Sequence, residues 1–89
     1  MNSIISKYMQ SLTKEQVKDF AIENHVFLSE DELSFTYDFV KKNWQEVLRN
    51  PNGLHLERYQ DHFSPENFQK IQQLIPMYLK KYARFLTSF

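Results

Sequence analysis

The sequence predicts an all-α fold, and three observations carry that prediction. Turn-forming residues are scarce, with one Gly and three Pro among 89 residues. A many-stranded sheet would need more of both. One helix-start signature recurs at three separate places in the chain. Residues 65–87 also repeat their apolar side chains every three to four positions, the helical period. The expected architecture is a compact bundle of three main helices with a short N-terminal helix and a short helical connector. Residues 1–89 are read as a single helical domain.

The helix starts are the strongest local signal. Thr13 is followed three positions later by Gln16, and Ser29 by Glu32. Each pair is a capping box: the hydroxyl accepts the N3 amide and the N3 side chain accepts the N-cap amide. Ser64 is followed by Pro65, and proline suits the first helical position because its missing N–H would have had no partner there. Each start is flanked by an apolar pair, Leu12 with Val17, Leu28 with Leu33 and Phe63 with Phe68. These are hydrophobic staples, which fix how the chain enters the helix.

The elements follow in order. Helix 1 is expected at about 2–10, with Ile4, Ile5, Tyr8 and Met9 as its apolar side chains. Helix 2 is expected at 14–24 and helix 3 at 30–49. In helix 3, Leu33, Tyr37, Val40, Trp44, Val47 and Leu48 form the main stripe, while Phe35 and Phe39 lie on nearly the opposite side. A helix apolar on two sides belongs between neighbours, so helix 3 is expected at the centre, with helix 4 on one side and helix 1 on the other. "RNPNG" ends helix 3, and "LHLERYQDHF" reads as a short helical turn. Helix 4 is expected at 65–87. Phe68, Ile71, Leu74, Ile75, Tyr78, Leu79, Tyr82, Phe85 and Leu86 fall in one apolar arc, with Lys70, Gln73, Met77, Lys80, Lys81 and Arg84 opposite. Pro76 lies off the arc and removes the bond to the Gln72 carbonyl, which favours a kink with Pro on the outside.

Composition excludes several classes of function. With no Cys, disulfides and thiolate metal sites are impossible, and a reducing compartment fits. The opening "MNSIISKYMQSL" is too short and polar for a signal peptide. No apolar run approaches the ~18 residues of a membrane span. Asn2 occupies the position where myristoylation needs Gly. The expected location is the cytoplasm. Net charge is zero, but residues 1–40 carry an excess of four negative charges and residues 41–89 the matching positive excess. Fourteen aromatic residues supply ample area to bury without a covalent staple.

Four features bear on function. The stretch "LTKEQVKDFAIENHVFLSEDEL" reads as helix, extended link and helix. It resembles the motif of SAP-type and Rho N-terminal domains. Leu12, Val17, Phe20 and Ala21 form its first apolar set, Val26 and Leu28 lie in its link, and Leu33 and Tyr37 in its second helix. Asn24 or His25 takes the turn where that family often has Gly. The resemblance implies nucleic-acid binding at the start of the second helix. Here that site is "SEDE", whose carboxylates suit the helix dipole but repel phosphate. Helical pairing is the better reading.

The second feature is the basic face of helix 4, Lys70, Lys80, Lys81 and Arg84, with Lys41 and Lys42 also available. It could meet nucleic acid or an acidic partner, but it lacks an interleaved aromatic for base stacking and resembles an ordinary solvated face. The third is the histidine segment. His55 and His62 are seven positions apart, or roughly 10 Å along a helix, too far to share an ion. The fourth is the Phe35/Phe39 pair, either covered by helix 1 or open to a protein partner or a second copy. No nucleophile motif, P-loop or Gly-rich phosphate turn is present, so neither enzymatic activity nor a cofactor is expected. Taken whole, the length and the "MN-I" and "LT–EQ" opening resemble small helical proteins of Bacillus-type Firmicutes, which implies a bacterial cytoplasmic protein. The reading is a non-enzymatic binding or regulatory module working through protein contacts, with a nucleic-acid role for the basic face as the alternative.

Overall fold

The computed structural model describes the backbone of residues 3–50 and 53–87, and the side chains of 6–50, 53–78, 80 and 81. Ile4, Ile5, Pro51, Leu79, Tyr82, Arg84, Phe85 and Leu86 fall outside the described side chains. The protein is all-α. Its helices are α1 (Ser3–Gln10), α2 (Lys14–Glu23), α3 (Glu30–Arg49) and α4 (Pro65–Thr87), with a 3-10 helix at Leu56–His62. No strand occurs among the described residues. The chain divides into two compact units, Met1–Trp44 and Gln45–Phe89.

In the first unit, both capping boxes form. Gln16 N–H donates to Thr13 Oγ1 (3.2 Å) and Thr13 N–H to Gln16 Oε1 (2.9 Å). Glu32 N–H donates to Ser29 Oγ (3.2 Å) and Ser29 N–H to Glu32 Oε1 (2.7 Å). Each box satisfies two amides that a helix start leaves without partners. The second is held more firmly, because Glu32 is buried and its contact with the Ser29 amide is short. Among the described residues, the buried apolar side chains of this unit are Leu12, Ala21, Val26 and Leu33. Two of them, Leu12 and Leu33, belong to the expected staples.

The end of α2 is a Schellman motif. His25 N–H donates to the Ile22 carbonyl (2.9 Å) and Val26 N–H to the Ala21 carbonyl (2.8 Å). The residue that turns left-handed is His25, with φ 63°. Asn24 keeps φ −103° as the C-cap and donates its side-chain amide to the Phe20 carbonyl (2.9 Å). Ala21 and Val26, the C3 and C″ residues whose apolar contact usually accompanies this motif, are both buried. A Cβ in the left-handed region is strained by about 1–2 kcal/mol, partly offset by the flexibility a glycine would add to the unfolded chain. His25→Gly should therefore raise stability by about 0.5–1 kcal/mol, a gain of several degrees in Tm. A lower Tm would show that the His25 side chain contributes more than its backbone costs.

The end of α1 is closed from two directions. The last four carbonyls of a helix have no partner within it. Ser11 Oγ donates to the Lys7 and Tyr8 carbonyls, both at 3.1 Å. Lys41 Nζ, from α3, donates to the Met9 carbonyl (3.0 Å) and the Gln10 carbonyl (2.7 Å). The start of α2 meets the same helix, where Lys14 Nζ donates to Ser34 Oγ (3.0 Å). Ser34 and Lys41 are two turns apart on one face of α3. The corner between α1 and α2 is therefore tied to that face by two lysine side chains.

In the second unit, Asn50 N–H still bonds to the Glu46 carbonyl (2.9 Å) just after α3 ends at Arg49. The expected helical connector is the 3-10 helix, in which no residue is buried. Phe63 N–H donates to the Gln60 carbonyl (3.2 Å) and leads the chain, in extended conformation, to the cap of α4. There Asn67 N–H donates to Ser64 Oγ (3.2 Å) and Phe68 N–H to the Ser64 carbonyl (2.8 Å). Asn67 and Phe68 are buried, while Ile71, Leu74, Ile75 and Tyr78 are half-buried. Pro76 and Met77 are exposed, on the side the apolar arc predicts, and α4 runs unbroken through Pro76.

Candidate protein-interaction surface

Among the described residues, three of the five large exposed apolar side chains surround the end of α2. Phe20 is 39%, Ile22 42% and Phe27 65% exposed. Scattered exposed apolar residues are ordinary on any protein. Three large ones within eight residues, around one tight turn, are not. The local backbone explains the most exposed of them. Beyond His25 the link alternates, with Val26 buried at 2%, Phe27 outward and Leu28 half-buried. An extended chain sends successive side chains to opposite sides. The Schellman turn fixes Val26 inward, so Phe27 must point out.

Sequence reasoning placed Phe20 in the first apolar set with Leu12, Val17 and Ala21. The structure corrects this: Ala21 and Leu12 are buried, Val17 is half-buried and Phe20 is exposed. Phe27 and Ile22 were not singled out. The signal for Phe27 was present in the two apolar neighbours of an alternating link, of which only one can face inward.

The Phe35 and Phe39 rings lie 6.2 Å apart, tilted by 31°, and both are half-buried. At 100° per residue they sit roughly 130° around α3 from the Ser34–Lys41 face. The Ser34 and Lys41 hydrogen bonds thus leave α3 on a different side from the one carrying this pair.

The described cations differ in their immediate surroundings. Lys70 Nζ is 3.8 Å from Glu66 Oε1, an exposed i,i+4 pair of little energetic weight. Lys81 Nζ lies 6.0 Å from the centre of the Tyr78 ring, at the outer limit of a cation–π contact. Lys80 is exposed, and the Arg84 side chain is outside the described residues. Lys41, grouped with Lys42 in the sequence reading, is engaged with α1 and lies 5.9 Å from the Tyr37 ring centre. Lys42 is exposed.

Of the acidic start of α3, Glu30 and Asp31 are exposed, whereas Glu32 belongs to the buried cap. His55 Nδ1 sits 3.6 Å from Glu57 Oε1, an ion pair only when the imidazole is protonated. Among the described residues no three His, Cys, Asp or Glu side chains gather closely enough to hold a metal ion. Nor is any helix there long and apolar enough to cross a membrane. No protein-family model, curated protein or solved structure matches this chain.

Proposed function

We propose that this protein is a non-enzymatic cytoplasmic binding or regulatory module that works through contacts with another protein. The observation that supports this reading most is the Phe20–Phe27 segment, where Phe27 stands 65% exposed on a turn built by backbone hydrogen bonds. An aromatic held outward by a rigid turn loses little conformational freedom when a partner covers it. Aromatic anchors of that kind carry much of the energy of protein interfaces. The polar surroundings, with Glu23, His25, Ser29 and Glu30 all exposed, supply the rim such an interface uses.

An affinity capture from the native host, with nuclease treatment and a mock bait, tests the proposal. The full chain should retain a protein partner after nuclease treatment, and Phe27→Ser should lose it. Because the side chain is largely exposed, the substitution should change stability by no more than about 0.5 kcal/mol. Equal capture by both baits would remove Phe27 from the interface. Capture that disappears with nuclease would instead favour nucleic-acid association through Lys70, Lys80, Lys81 and Arg84.

A further inference from the structure

We propose that α1 is a separately releasable segment and that the Lys41 ammonium is the latch that holds it. The inference is independent of the partner surface proposed above. It starts from the length of α1. Eight residues are too few for a stable isolated helix in water, so α1 depends on what holds it. At its end, the Gln10 carbonyl is bonded by Lys41 at 2.7 Å, and the Met9 carbonyl is shared between Lys41 (3.0 Å) and the Leu12 amide (3.3 Å). The other two carbonyls go to Ser11, which belongs to the same short segment and would leave with it. Lys41 therefore supplies the long-range hydrogen bonds to this helix end, across 31 and 32 positions of sequence.

The contact is also electrostatic. The carbonyl end of a helix carries partial negative charge, and a cation placed there is stabilising. The Tyr37 ring centre lies 5.9 Å from the ammonium, near the outer limit of a cation–π contact, so the carbonyls are its main partners. By contrast, α2 and α3 begin with capping boxes closed inside their own first turns. Their starts need no such partner. Loss of the Lys41 charge therefore uncouples α1 first and leaves the α2–α3 pair folded. A change that neutralises the ammonium, such as lysine acylation, would act as the release.

The test is amide hydrogen exchange on the full chain, comparing the native protein with Lys41→Met, which keeps an unbranched side chain one atom shorter and removes its charge and donors. Protection of the α1 amides should fall by about tenfold or more while α2 and α3 amides hold theirs. Unchanged α1 protection would overturn the proposal. So would an equal loss across α1, α2 and α3, which would make Lys41 a general structural residue. A second measurement needs no variant. In brief acylation of the native protein with a water-soluble reagent, Lys41 should react several-fold more slowly than exposed Lys42, and equal rates would overturn the latch.

Discussion

Phe68→Ala is expected to destabilise the protein by about 3–5 kcal/mol, the usual loss on truncating a buried phenylalanine. Phe68 is the buried apolar side chain at the first turn of α4, 7% exposed, and its neighbours along the helix face are only half-buried. The same turn carries the Ser64 cap, and Phe68 N–H is the amide that bonds the Ser64 carbonyl at 2.8 Å. Losing the ring removes the burial, while the backbone bond to Ser64 is kept. Urea denaturation should show a lower midpoint with an unchanged slope, the signature of lost stability rather than a changed unfolded state. Met77→Ala, at a site 59% exposed, is the control and should move the midpoint by little. Comparable shifts for the two variants would mean that α4 does not bury the face described.

The second large effect is expected at Leu33. It is 8% exposed, and Leu33 N–H bonds the Ser29 carbonyl at 2.8 Å as the first full turn of α3 closes. Leu33→Ala should cost about 2–5 kcal/mol, through lost burial and the cavity left behind. Leu33→Met, nearly volume-conserving, should cost less than about 1.5 kcal/mol. The two variants separate packing from any effect on the cap, since both leave the backbone and the Ser29–Glu32 box untouched. If Met and Ala were equally damaging, cavity volume would not be the cause.

Much of the fold was legible because its signals are local. Thr13–Gln16, Ser29–Glu32 and Ser64 each fix a helix start through contacts spanning three positions. A short pattern in sequence is therefore a complete description of the structure it makes. The end of α2 was legible only in outline. A turn was expected at Asn24 or His25, and asparagine is the better left-handed residue in general. The Schellman hydrogen bonds place the turn one position later, so histidine takes the strained conformation.

The partner surface was harder to read. Periodicity assigns Phe20 to the inner side of α2, but it cannot say how wide that side is. With Leu12, Ala21, Val26 and Leu33 already supplying the buried positions, Phe20 is left at the margin. The role of Lys41 was illegible for a different reason. In sequence it is one cation beside another, and its purpose depends on carbonyls 31 and 32 positions away.

That separation also orders events during synthesis. A chain leaves the ribosome from its N-terminus at roughly 5–20 residues per second. The end of α1 is thus closed only after the first part of α3 has been added. Gln10 precedes its Lys41 partner by 31 positions, an interval of about 2–6 s at that rate. For that time the nascent segment carries its own Ser11 cap but lacks its cation. By then Thr13, Gln16, Ser29 and Glu32 have all been added and the next two helices have their starting caps. The end of α1 must wait for a later part of the chain to close it.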